Sequence, residues 1–145
     1  MPPKRILLAE THPTFVGVVR LLLKETMAAM FMVADEASLT EAIAGAQFDL
    51  VIADLSFPVS SGKNVIRLLQ SLNPEIKCII LSVHDEQTVL DECLAAGAKG
   101  FVLKRTASTD LLAAVEAVLS GGTYISPFCC TQTDKCALKR DNKIN

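Results

Sequence analysis

Short, continuously apolar runs alternate along this chain with stretches whose apolar residues recur every three or four positions. Ile6-Leu7-Leu8-Ala9 is the first such run and reads as a strand buried on both faces. Phe15, Val18, Val19 and Leu22 follow at i, i+3, i+4 and i+7, one face of a helix, with Pro13 suited to its first turn. Phe31 to Ala34 predicts a second short strand. Ser38-Leu39-Thr40-Glu41 has the form of a capping box, opening a helix whose inner face is Leu39, Ala42, Ile43 and Ala46. Leu50-Val51-Ile52-Ala53 is a third strand. Val65, Leu68, Leu69 and Leu72 mark a third helix, which stops ahead of Pro74 because the residue before proline avoids helical dihedrals. Ile79-Ile80-Leu81 belongs to a fourth strand. A less sharply patterned helix runs from Glu86 to Ala96, with Gly97 placed for a left-handed C-terminal cap. Phe101-Val102-Leu103 is a fifth strand, and Leu111, Ala114, Val115 and Val118 line a last helix ended by Gly121-Gly122. A strand–helix unit repeated five times, with strands this apolar, predicts an α/β, doubly wound fold around a parallel sheet.

In such sheets the working groups collect at the carboxyl ends of the strands. Those ends carry Glu10 and Thr11, Asp54, Ser82 and Lys104, so two carboxylates, two hydroxyls and one ammonium are expected on a single rim. The 145 residues suffice for one domain, and a half-hydrophobic composition with 21% charged residues can build a core. Mean hydropathy is high at +0.38. Even so, the most apolar stretch, Thr26 to Ala34, is only about half of the ~20 residues a membrane-spanning helix needs. The uncharged stretch from Ala117 to Thr133 is broken by Gly121, Gly122 and Pro127. No secretory signal is evident near Met1, so a cytoplasmic, membrane-free protein is expected. A net charge of −2 argues against a chain built as a whole to bind nucleic acid. Cys78 and Cys93 sit in apolar runs as small core residues, while Cys129, Cys130 and Cys136 lack the spacing and fourth ligand of a structural metal site.

The motifs at these strand ends resemble the receiver domains of two-component response regulators, and more narrowly the nitrate-regulator and FixJ-like (LuxR-type) branch. The resemblance covers roughly residues 4 to 127. It rests on Leu8-Ala9-Glu10-Thr11-His12-Pro13, on Val51-Ile52-Ala53-Asp54-Leu55-Ser56-Phe57-Pro58 with Gly62 following, on Ile80-Leu81-Ser82, on Ala96-Gly97-Ala98-Lys99-Gly100-Phe101-Val102-Leu103-Lys104, and on Gly121-Gly122-Thr123-Tyr124-Ile125-Ser126-Pro127. It implies a flavodoxin-like (βα)5 fold with a five-stranded sheet in the order 2-1-3-4-5. It also implies that Asp54 accepts a phosphoryl group from a sensor histidine kinase, giving a labile acyl phosphate. Lys104 would pair with Asp54 and the phosphoryl oxygens, Ser82 would bind the phosphoryl group, and Phe101 holds the position of the aromatic switch, though an aromatic there is equally plain core. Magnesium would be held by Glu10, Asp54 and the backbone carbonyl of Ser56. His12 falls where the family often carries His-Pro, and His84 lies close enough to Ser82 to influence water near the acyl phosphate.

Two departures stand out. The family places an acidic residue where this chain has Thr11, and a neutral hydroxyl there predicts weak magnesium binding. The branch also follows its receiver with a DNA-binding output domain, whereas here about 18 residues follow Pro127. They lack apolar periodicity and read as a flexible tail with a modest basic surplus (Lys135, Lys139, Arg140 and Lys143 against Asp134 and Asp141). The expectation is a receiver over residues 1–127 and a tail over 128–145, with DNA reached only through an output domain and homodimerisation plausible. The competing function is a degenerate receiver that works as a phosphorylation-independent interaction module. A phosphohydrolase is disfavoured, since Ser56 stands where such enzymes carry a second aspartate, and flavin binding lacks a phosphate loop after the first strand.

Overall fold

A computed structural model describes residues 4–26, 29–60 and 64–127, apart from the side chain of residue 25. Six parallel strands form one sheet: β1 (Arg5–Ala9), β2 (Ala29–Val33), β3 (Leu50–Asp54), β4 (Cys78–Ser82), β5 (Gly100–Leu103) and β6 (Tyr124–Ile125). Five helices alternate with them: α1 (Pro13–Leu23), α2 (Glu36–Gly45), α3 (Val65–Leu72), α4 (Gln87–Ala96) and α5 (Ala107–Leu119). Side chains alternate across a strand, so a sheet whose strands are apolar throughout has two faces to cover. Leu7, Val51, Ala53, Ile80 and Phe101 face one way, against Leu39 of α2, Ile66 and Leu69 of α3, and Leu90 and Cys93 of α4. Ile6, Leu8, Ile52, Leu81 and Val102 face the other, against Val19 and Leu23 of α1 and the Leu111, Ala114, Val115 and Val118 stripe of α5. Burial pushes the Cys78 thiol up to about 12 and that of Cys93 to about 11, so both remain protonated core residues.

The strand order is β2-β1-β3-β4-β5-β6, so the expected five-stranded sheet is corrected to six strands. After α5 the chain turns through Gly121 and Gly122 and lays Tyr124 and Ile125 beside Gly100 and Phe101. The Tyr124 N–H donates to the Lys99 carbonyl at 3.1 Å and the Ser126 N–H to that of Phe101 at 2.8 Å, pairing groups that β5 would otherwise leave open at the sheet edge.

Local details also shift. Strand β2 begins at Ala29 and not Phe31. Helix α2 is capped by Asp35, whose carboxylate accepts the Ser38 N–H at 2.8 Å, so the cap lies three residues ahead of the Ser38 box. On α1 the inward face is carried by Val19 and Leu23, whereas Val18 is exposed. Glu86 caps α4 and lies outside it. Gly97 adopts φ +117° after α4, as its placement required. No helix among the described residues is long and apolar enough to cross a membrane.

Candidate functional site

The order of strands reverses between β1 and β3, and in open parallel sheets the crevice at such a switch point, beyond the strands' carboxyl ends, is where ligands bind. Glu10 is the first residue past β1 and Asp54 the last of β3, with Ala9 and Ala53 in register beneath them. Ser82 closes β4, and Lys104 follows β5 at the head of a short helical turn. All four groups thus reach one rim.

Within it, the Glu10 side chain is fully buried, that of Asp54 is 4% exposed and that of Lys104 13%. The Lys104 ammonium donates to Asp54 Oδ2 at 3.1 Å and to Glu10 Oε2 at 3.3 Å, and lies 3.1 Å from Glu10 Oε1. It also sits 4.8 Å from the centre of the Phe15 ring, on α1. One cation therefore serves two buried carboxylates, leaving the cluster one negative charge in excess. Ser56 completes the setting of Asp54: its backbone N–H donates to Oδ1 at 3.2 Å and its hydroxyl to Oδ2 at 3.0 Å. Burial drives the Asp54 carboxyl upward, but the Ser56 N–H, the Lys104 ammonium and the Ser56 hydroxyl together outweigh it and hold it below the usual aspartate value.

Ser82 is buried and engaged with its own loop: its hydroxyl donates to the His84 carbonyl at 3.0 Å and accepts the His84 N–H at 2.8 Å. A cavity of about 260 Å3 opens between the two loops, lined by Asp54, Leu55, Ser56, Ser82, Val83 and His84. Phe101 is wholly buried in the core under α4. Thr11 is exposed and shares with Glu10 a depression lined also by Pro13, Val16 and Met32. Gly62, part of the motif around Asp54, lies outside the described residues, as do Cys129, Cys130 and Cys136.

Sequence reasoning left His12 beside the start of α1, yet the structure brings it into the cluster. Its Nδ1 lies 2.9 Å from Glu10 Oε2 and 3.8 Å from Asp54 Oδ2, and its backbone N–H donates to Glu10 Oε2 at 3.1 Å. The signal was its position two residues past a strand-end carboxylate and just ahead of a proline that fixes the first turn of α1. Asp110, buried in the first turn of α5, was missed as well. It accepts from the hydroxyls of Thr106 and Ser126, both at 2.7 Å, and from that of Tyr124 at 3.2 Å. Ser126 Oγ in turn accepts the Leu103 N–H at 3.1 Å, next to Lys104.

Comparison with known proteins places these observations. Residues 6–116 match the family model described as "Response regulator receiver domain". The chain is 39% identical over 99 residues to the transcriptional regulatory protein UhpA of Salmonella typhimurium, covering 66% of this chain and 49% of that one. It resembles the crystal structure of a LuxR-family two-component response regulator from Aurantimonas sp. with a TM-score of 0.81 at 25% identity, over 96% of this chain and 99% of that one. It also resembles the isolated receiver domain of RcsB from Salmonella enterica serovar Typhimurium, solved in the presence of phosphomimetic BeF3−, with a TM-score of 0.76 at 22% identity, over 86% and 94% of the two chains. The chain spans about half the length of the curated relatives it matches.

Proposed function

Since the chain belongs to the response regulator receiver domain family, with LuxR-type regulators among its relatives, we propose that it is a phosphoryl-accepting signalling switch with Asp54 as the acceptor. One observation carries the reading: a buried strand-end carboxylate holds an ammonium at 3.1 Å and borders an open cavity that Ser82 also lines. An ionised Asp54 oxygen attacks the phosphorus of a phosphohistidine on a sensor kinase; the P–O bond forms, the P–N bond breaks and the imidazole leaves. Oδ1, which accepts only the Ser56 N–H among the described contacts, is the freer nucleophile. Lys104, already at the site, balances charge on the phosphoryl oxygens. Ser82 reaches the new group by giving up its bond to the His84 carbonyl, an exchange of neutral hydrogen bonds worth about 1 kcal/mol. Its inward turn would open space beside buried Phe101 and bias the α4–β5–α5 surface between two packings.

The donor set suits a hard divalent cation in part. Glu10 and Asp54 are adjacent carboxylates, and the Ser56 carbonyl completes the set expected for magnesium, which when bound neutralises charge developing on the transferred group. Exposed, neutral Thr11 adds no charge, which supports weak magnesium binding. The same feature favours the second reading, an interaction module that needs no phosphate. On either reading the receiver is residues 1–127; residues 128–145, expected as a tail, lie outside the described residues. Control of transcription, homodimerisation and DNA contact through an output domain are proposed from the LuxR-type relatives. Self-catalysed phosphorylation and dephosphorylation are the only enzymatic steps this reading needs.

Intact mass after incubation with acetyl phosphate and magnesium tests the proposal. A gain of one phosphoryl group, absent in Asp54→Asn, is expected. No gain at saturating magnesium, or a gain that survives in Asp54→Asn, overturns it.

A further inference from the structure

Strand β5 ends at Leu103, whose pairing with Ser82 is the last of the β4–β5 ladder, so strand pairing does not reach the backbone of Lys104. Lys104 instead opens the short helical turn Lys104–Thr106. A lysine carries a compact charge on a flexible four-carbon stem, and the point where that stem is rooted limits where the ammonium can rest. Two tethers fix that point. On the other edge of β5 the pairing with β6 runs out at Ile125 beside Phe101, and the next acceptor is a side chain: the Ser126 hydroxyl oxygen takes the Leu103 N–H at 3.1 Å. At the far end of the turn, Thr106 is held through its own hydroxyl.

Both tethers end on one atom. Asp110 Oδ2 accepts the hydroxyls of Ser126 and Thr106, each at 2.7 Å, the short length of a charge-assisted bond. Its Oδ1 accepts the Tyr124 hydroxyl of β6 at 3.2 Å. Asp110 is buried, and among the described contacts it meets hydroxyls and no cation. Sinking a carboxylate among neutral donors costs desolvation; what the fold gains is that the residues on both sides of Lys104 are fixed to the first turn of α5. We infer that Asp110, acting through Ser126 and Thr106, is the positioning residue for Lys104, holding its ammonium where Asp54 takes up the phosphoryl group. The inference rests on Asp54 as the acceptor, and it extends the working unit of the receiver past residue 116, where the family match ends, to Ser126.

The test compares the full chain with Ser126→Ala and Thr106→Val, which each cut one tether, and with Thr106→Ser, which keeps the hydroxyl. Leu68→Ala on α3, across the sheet, serves as a control for lost packing. Phosphorylation by acetyl phosphate at saturating magnesium is timed by intact mass, at a temperature where circular dichroism shows every variant folded. Both tether variants should react about tenfold more slowly, since misplacing a reacting group by about 1 Å can cost about a hundredfold. Thr106→Ser and Leu68→Ala should keep the parent's rate, although Leu68→Ala melts at lower temperature. Proton–nitrogen NMR of the lysine ammonium groups gives a second readout, the Lys104 signal being identified by its loss in Lys104→Met. That signal should move in Ser126→Ala and Thr106→Val and stay in place in the two controls. Parent rates in both tether variants with an unmoved Lys104 signal overturn the inference, as does equal slowing in Leu68→Ala, which assigns the effect to lost stability. A parent chain that gains no phosphoryl group sinks the acceptor reading alone, and the Lys104 signal then decides the positioning by itself.

Discussion

Replacing Lys104 with methionine keeps most of the apolar stem but removes the charge that two buried carboxylates share. Removing one partner of a buried pair costs about 3–5 kcal/mol, because the other is left uncompensated. Here the loss has a ceiling: an orphaned carboxyl can take up a proton, which at pH 7 costs about 1.4 kcal/mol for each of roughly three units above its ordinary value near 4, or roughly 4 kcal/mol. The expected destabilisation at pH 7 is therefore about 3–4 kcal/mol, a fall in Tm on the order of 10–15 °C for a domain of this size. Its pH dependence is diagnostic. In the parent protein Asp54 is held below its ordinary value, so its stabilisation is present above the unfolded-state pKa and lost as pH falls through the folded one. In Lys104→Met the cluster holds its proton more tightly folded than unfolded. The penalty is then greatest at neutral pH and shrinks to below about 1 kcal/mol near pH 4. Urea denaturation followed by far-ultraviolet circular dichroism at the two pH values measures this, the chain having no tryptophan to report. Adding Glu10→Gln should recover most of the loss at pH 7. A penalty under about 1 kcal/mol at pH 7, a penalty independent of pH, or a double variant weaker than the single would refute the reasoning.

Three further outcomes follow from the same geometry. Thr11→Asp restores a carboxylate at an exposed position on the rim and should tighten magnesium by about tenfold without loss of stability; unchanged affinity by calorimetric titration would show that charge at this position is not what limits binding. Gly100→Ala places a Cβ 2.8 Å from Ile79 Cγ1, on a fully buried neighbour in register with it, and should cost about 1–3 kcal/mol in thermal melts; a loss below about 0.5 kcal/mol contradicts the packing. Tyr124 is the chain's single tyrosine, and burial first, then the charge of Asp110 and its acceptance of the phenol proton, raise its pKa. In Asp110→Asn its absorbance titration should therefore move to lower pH, part of the way back towards 10 since burial remains; an unmoved midpoint removes Asp110 from that environment.

Where the sequence was legible, a local pattern coincided with burial. Five apolar runs of strand length with helical stripes between them leave few ways to cover both faces of a sheet, and the strand-end rule then brings Glu10, Asp54, Ser82 and Lys104 together. Less visible were features that exist only through tertiary partners. Tyr124 and Ile125 are too few to announce a strand, and become one only because β5 has an open edge beside them. Asp35 caps α2 in place of the Ser38 box because the local pattern suited either residue. Val18 fitted the apolar stripe of α1 as well as its neighbours, but the sheet takes Val19 and Leu23. His12 carried a chemical signal without a partner, because its approach to Glu10 depends on how α1 leaves the strand.

The junction of Ser126 with Leu103 and Asp110 has a structural consequence. The residue beside Lys104, the first turn of α5 and the point where the chain leaves the sheet share one chain of buried polar bonds. Removing the Ser126 hydroxyl would strand both the Leu103 N–H and one Asp110 contact away from water, so the strand that brings Lys104 to the rim and the last strand of the sheet depend on the same side chain.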